Sequence, residues 1–425
     1  MSTASKLPSI GEFAADEPGN VVRQLDDGAP NSDANCAAGS LLSLSFTDAI
    51  SLIEADLMCG IGAAAGYRLH AAAQPCAALL EYCRAVLHSG VDSKLCKDWR
   101  CLMNKRIGLS YSHRNSDLVW LDDKVEQVSL TAAFFDGREL HLPILAHATA
   151  GDSVAEAALR AATQDQVALS TPIVVKPRHG SNSKHVFLWP KPQAVGESEV
   201  VASVDKALTA WDKSWKRESW NQNAVPKGAL LQPLYSPMNA FADPEYNEVA
   251  DRGADAGQTA SDPLLQRPIE LKIQVLFGEV IGACLNTHPQ FLWVARSGAL
   301  HIWDQAEQGL LKRHHGHCSP LAHSLLEVLR IALSCHWTRI RSDSEHLARS
   351  VGLDELRVDW FLGDDRWGPR IGELTYMGTF ALDVLPVAVR LARAYAVAHL
   401  ARLGEADQSH FCLGQSGLRK ALVTG

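Results

Sequence analysis

Residues 269–285 carry the clearest alternation of apolar and polar positions in the chain. Glu270, Lys272 and Gln274 interleave with Leu271, Ile273 and Val275, and a Phe277–Gly278–Glu279 turn leads into a second apolar run through Cys284. A period of two sends one set of side chains to a core and the other to an open face, so this stretch predicts an antiparallel strand pair. Residues 291–294 and 299–303, around Ser297–Gly298, predict a further hairpin. Two more strands are predicted at 356–362 and 370–377, joined by the link 363–368. In the first, Arg357 and Asp359 share one face while Leu356, Val358 and Trp360 share the other; in the second, Glu373 and Thr375 share a face. The link makes these strands antiparallel neighbours. Two carboxylates, a guanidinium and a hydroxyl can therefore converge on one polar patch, the donor set that Mg²⁺ and a phosphoryl group need.

Upstream, the β-run Ile173, Val174, Val175 delivers Lys176 at its end, and Pro177 keeps that residue extended. A loop of small and polar residues follows, then a second β-like run over 185–189. Strand, lysine, loop and returning strand can lay backbone N–H groups over a polyphosphate while the ammonium meets its oxygens. It is not a Walker A loop, since no G-x-x-x-x-G-K-[ST] occurs. GALLQPLY, 228–235, reads as a short buried strand.

Apolar residues recurring at three- and four-residue steps predict helices over 45–57 and 76–87 and from Asp122–Asp123–Lys124 onward. Others are predicted over 153–164, near 199–213, from Ser319–Pro320 through 333, over 344–351 and over 385–403. Residues 90–113 show no clear period, and Lys94, Lys97, Arg100, Lys105 and Arg106 read as a solvated face. Trp211, Trp215 and Trp220 have roughly helical spacing and read as core or interface residues. Strands interleaved with helices, with several hairpins, predict an α+β architecture.

Charge and composition then narrow the function. A net charge of −8 excludes a nucleic-acid protein held by a general basic surface. Ten cysteines without a C-x-x-C pair fit a reducing compartment. The first 40 residues are acidic and lack an apolar signal core, and the apolar stretch 50–69 contains Glu54 and Asp56, so no membrane span is expected. The expected location is cytoplasmic. The basic, His-rich run 312–318 offers no sensible second ligand pair and is not read as a metal site.

Taken in order, VVKPRHGSNSKHV, LLQPLY, ELKIQVLFGEVIGA and RVDWFLGDDRWGPRIGELTYMG resemble the ATP-grasp fold. Within it, K-P-x-H-G-S and G-E-L-T are similar to the branch linked to teichuronopeptide synthesis (TupA-like). DDKVEQVSLTAAFFDGRELHLPILA looks like the D-K motif that opens the fold, so the likeness runs from about Asp122 to Gly378.

The resemblance implies two α+β subdomains sandwiching ATP, 121–235 with the phosphate-binding hairpin and 269–405 with the Mg²⁺-binding hairpin. They would be joined by an inserted loop or lid at 236–268. A helical N-terminal region, 41–120, and tails at 1–40 (disordered) and 406–425 complete the chain. Lys176 would bind the α/β-phosphates, with Gly180, Ser181, Asn182 and Ser183 forming the loop over them. The strand bearing Gln232, Pro233 and Leu234 would meet the adenine. Lys124 matches the opening motif, and Lys272 is a further phosphate or substrate contact. Asp359 and Glu373 would hold Mg²⁺ with Thr375 in the third ligand position, while Arg357 would stabilise the transferring phosphoryl group or the acyl intermediate.

Gln232 stands where the fold often has Glu, Thr375 where it often has Asn, and Ser181–Asn182–Ser183 replaces a more glycine-rich loop. The implied activity is an ADP-forming carboxylate–amine ligase using ATP and Mg²⁺ on small-molecule substrates, with a homodimer allowed. A kinase of the same fold and a non-catalytic nucleotide-binding protein are the alternatives.

Overall fold

Alternation in the sequence becomes two-faced sheets in the molecule. The computed structural model describes residues 99–114, 116–181, 183–215, 218–235, 269–286, 290–304 and 323–378. These belong to one compact unit, Ser43–Gly425. The expected tails, the helices over 45–57, 76–87 and 385–403, the insertion 236–268, the Ser319–Pro320 helix start, the run 312–318 and Asn182 lie outside the described residues.

In chain order the elements are α1 (Trp99–His113), α2 (Lys124–Phe134), β1 (Ala146–Thr149), α3 (Ser153–Ala168), β2 (Ile173–Pro177) and β3 (Phe187–Trp189). Then come α4 (Pro192–Val195), α5 (Glu197–Leu208), α6 (Trp220–Ala224), β4 (Gly228–Pro233), β5 (Ile269–Leu276) and β6 (Glu279–Asn286). β7 (Gln290–Ala295), β8 (Leu300–Asp304), α7 (His323–Val351), β9 (Glu355–Leu362) and β10 (Arg370–Thr375) complete them. The described strands form a four-stranded sheet, β1-β4-β2-β3, and a six-stranded sheet, β10-β9-β5-β6-β7-β8. Every pairing in both is antiparallel, as an α+β fold requires.

In the small sheet, Ile173, Val175, Ala229 and Leu231 pack against Leu159 and Val167 of α3 and Val200, Val204 and Leu208 of α5. Their alternates Val174, Lys176 and Gln232 turn to the opposite face. In the large sheet, Leu271, Ile273 and Val275 of β5 join Leu356, Val358 and Trp360 of β9 in a core closed by Leu329, Leu333, Trp337 and Ile340 of α7. Burying such a side chain contributes about 1.5–3 kcal/mol each, so the apolar faces fix both sheets and leave the polar faces for the site.

Four expectations need correction. β1 was not foreseen, because a four-residue strand containing His147 shows no usable alternation. Residues 323–351 form one helix where two were expected. Ser344, read as a helix start, instead donates to Ile340 O at 2.8 Å and accepts Trp360 Nε1 at 3.0 Å inside the core. Arg106 is not solvated: it is buried and donates to Asp354 Oδ2 at 2.8 Å and Tyr376 Oη at 2.8 Å. Trp211 and Trp215 lie in the irregular segment after α5, and Trp220 opens α6, so the three share no helix.

Candidate functional site

The polar faces of the two sheets line one cleft of about 220 Å³. From the small sheet come Val174, Lys176, Gln232 and Leu188; from the large one Glu270, Phe361, Gly372 and Glu373; from α2 and the loop after β2 come Lys124, Gly180, Ser181 and Ser183.

Lys176 is half-buried. No hydrogen bond or ion pair to its ammonium occurs among the described residues. Burial and the neighbouring Lys124 push its pKa down to about 8, against the pull of Glu373 and Glu270. A cation held this way gains from an anion entering the cleft.

α2 begins beside the loop for a local reason. Asp123 caps it, accepting from Val125 N at 3.0 Å, and also accepts from Arg178 Nε at 2.8 Å and Nη2 at 2.6 Å. That pairing aims Lys124 into the cleft, where its ammonium donates to Gly180 O and lies 3.4 Å from Glu373 Oε1. Ser181 Oγ is buried with no hydrogen-bond partner. A buried hydroxyl without a partner is costly, and one on a cleft wall beside two lysines suits a phosphate oxygen.

Across the cleft, β9 and β10 pair Asp359 with Glu373 and Arg357 with Thr375. The register slips at Gly372, whose missing side chain makes room: a Cβ there would come within 2.4 Å of the Phe361 ring. Asp359 is 0% exposed and fully engaged. It accepts from Arg357 Nε at 2.7 Å, Arg357 Nη2 at 2.9 Å and Lys272 Nζ at 2.8 Å. Burial opposes the Asp359 charge, but Arg357 and Lys272 outweigh it and hold the carboxyl below its ordinary range. Lys272 also pairs with Glu270 at 3.0 Å. Burial pushes the Glu270 carboxyl up despite Lys272, helped by Asp359 and Glu373. Thr375 Oγ1 accepts from Arg357 Nη2 at 3.1 Å, so this hydroxyl orients the guanidinium.

Of the residues singled out in the sequence, the fold brings Lys124, Lys176, Gly180, Ser181, Ser183, Gln232, Leu234 and Glu373 to the lining of one cleft. Asp359, Arg357, Lys272 and Thr375 adjoin it without lining it, and neither does Pro233, which pairs with Ile173. Gln232 Nε2 donates to Leu142 O at 2.9 Å, and β1 pairs with β4 only as far as Leu231. Beyond that point the β4 backbone is an edge. Glu270 was legible as a polar-face residue but not as a cleft carboxylate. Tyr235 and Phe361, with ring centroids 5.4 Å apart, form an apolar floor that the sequence reading missed. Alternation beyond Asp359 was the available signal for Phe361.

For a hard cation the fit rests on Glu373. Its side chain is 31% exposed and its one ion pair among the described residues is a loose 3.4 Å, so carboxylate lone pairs remain to give. Asp359, one strand away, uses both oxygens on Arg357 and Lys272. Among the described residues there is no group of three or more His, Cys, Asp or Glu poised to hold a metal, so substrate oxygens and water would have to complete a shell. No helix among the described residues is long and apolar enough to cross a membrane.

No family model matches the chain, and no curated protein matches its sequence. Among solved structures, the chain is similar to the D-cycloserine synthetase DcsG at 18% identity, covering 76% of this chain and 93% of that one with a TM-score of 0.36. It is also similar to the biotin carboxylase domain of the 2-oxoglutarate carboxylase of Hydrogenobacter thermophilus, solved with MgADP, ADP and bicarbonate. There the identity is 12%, covering 74% of this chain and 56% of that one, with a TM-score of 0.34. Likenesses this distant carry no weight for the site, which stands on its own geometry.

Proposed function

We propose that the cleft binds MgATP and that the chain is an ATP-grasp enzyme of the carboxylate–amine ligase type, nearest in its KPRHGS and GELT motifs to the TupA-like branch. One observation carries the reading. Two lysines and an unpartnered buried serine hydroxyl face a cleft-exposed carboxylate, with a paired arginine beside it, across a gap between two sheets. Among the residues lining the cleft, three lysines, Lys124, Lys176 and Lys184, stand against two carboxylates, Glu270 and Glu373. That surplus of positive charge suits a polyphosphate.

In this reading the adenine lies on the apolar floor against the β4 edge near Gln232, and Lys124, Lys176 and Ser181 take phosphate oxygens. Glu373, with Asp359 beside it, would hold Mg²⁺, which supplies neutralisation of phosphate charge. A substrate carboxylate oxygen bonds to the γ-phosphorus as the bond to ADP breaks. An amine then adds to the acyl carbon, loses a proton, and phosphate leaves. Arg357, fixed by Asp359 and Thr375, stabilises the negative charge that develops.

MgATP at a hundredfold excess over Kd should stabilise the fold by about 2.7 kcal/mol, visible as a rise of several degrees in melting temperature. ADP should then appear with pooled carboxylates only when amines are present. ADP release without an amine requirement would point to a kinase, and a folded protein showing no shift with millimolar MgATP would overturn the nucleotide site.

Lys176 adds a pH signature. Its free-state pKa of about 8 lies below the ordinary lysine value, and phosphate binding must raise it. Binding at about pH 9 should therefore take up a proton, and affinity for ATP should fall as pH rises through that range. Calorimetric titration in two buffers of different ionisation enthalpy measures the uptake. Identical heats in both would show that Lys176 is not charged by the ligand.

A further inference from the structure

The loop over the proposed phosphate site is fastened from outside the cleft by a segment the chemistry does not use. Trp215 is 1% exposed, and its Nε1 donates to Ser181 O at 3.1 Å. His179 and His185 both set their rings edge-on to it, at centroid distances of 5.4 and 5.7 Å. A Cβ at Gly180 would lie 3.3 Å from the indole and 3.0 Å from Pro177, so the loop backbone is seated directly on this ring. His179 Nε2 bonds Ala210 O at 3.0 Å, while Gly228 N donates to His179 Nδ1 at 3.2 Å. At the loop's far end Lys184 pairs with Asp212 at 2.8 Å and donates to Ser214 Oγ at 3.1 Å. Ser183 and His185 hold φ of 54° and 58°, a sparsely populated region for non-glycine residues that persists only where the surroundings over-determine it.

We infer that Trp215 is a positioning residue that presets Gly180, Ser181, Ser183 and Lys184 for the phosphate chain, so that affinity for phosphates depends on the indole N–H. The inference rests on the nucleotide reading above and deepens it. A loop ordered before the ligand arrives does not lose conformational freedom on binding, and Gly180, Ser181 and Ser183 already line the cleft. The adenosine half of the ligand would sit against β4 and the Tyr235–Phe361 floor, away from Trp215.

Trp215→Phe keeps an aromatic ring beside the two histidines but deletes the indole donor to Ser181 O, leaving Lys184 N, at 3.2 Å, on that carbonyl. The Kd for MgATP should rise about fivefold, the loss expected for one neutral hydrogen bond. The Kd for adenosine should stay at the wild-type value. Asp212→Ala, at a part-exposed carboxylate that pairs with Lys184 and accepts from Ser214, should raise the ATP Kd about threefold by freeing the other end of the loop, again sparing adenosine. It reads the same property should Trp215→Phe prove unstable in a melting curve. Unchanged ATP affinity in both variants, or equal losses for ATP and adenosine, overturns the inference. A folded wild type that binds no MgATP overturns the nucleotide reading and this inference with it.

Discussion

Asp359→Asn should cost the fold about 3–5 kcal/mol, a loss on the order of 10 °C in melting temperature for a unit of this size. The sequence reading placed this carboxylate on a polar patch, as a Mg²⁺ ligand beside Glu373. Its surroundings say otherwise. Asp359 is completely buried and holds Arg357 by two hydrogen bonds and Lys272 by a third. Removing its charge takes a buried counter-ion from Arg357 and leaves Lys272 with Glu270, and the asparagine amide must point N–H groups at a donor. Breaking a buried pair from one side is costly for this reason, although the pair as a whole contributes much less. Lys272→Met in the same chain should recover part of the loss, so the double variant should be more stable than the sum of the singles implies. Chemical denaturation of all four proteins measures the coupling. Strict additivity would mean that the contacts drawn here do not bear on stability.

Glu373→Gln should do the reverse: turnover falls at least a hundredfold, as for the loss of a preorganised charge contact, while stability changes by less than about 1 kcal/mol. Glu373 lies on the same polar row as Asp359 but at the cleft wall, part-exposed and only loosely paired with Lys124. Its charge is therefore free to act on a ligand. Adenosine binding should survive, because nothing near Gln232 changes. Raised Mg²⁺ should not restore activity fully, since a neutral amide is a poor ligand for a hard cation. ADP release and melting temperature on the same preparation separate the two carboxylates. Near-normal turnover in Glu373→Gln would remove the metal from this position, and with it most of the case for phosphoryl transfer here.

The two carboxylates also show what local pattern can and cannot say. Alternation fixed that Arg357, Asp359, Glu373 and Thr375 share one face, because a strand's side chains have a period of two and the apolar alternates must go to the core. The short link fixed that the strands are neighbours, and the β-run before Lys176 fixed where that ammonium emerges. All of this is information carried within about 20 residues. Lys272 reaches Asp359 because β5 pairs with β9 across 87 positions of sequence. Trp215 lies under Ser181 from 34 positions away, and Arg106 reaches Asp354 from 248. Periodicity names the face on which a side chain stands. What stands opposite is decided by how sheets, helices and loops pack, and only that packing made Asp359 a buried anchor and Glu373 a part-exposed carboxylate at the cleft.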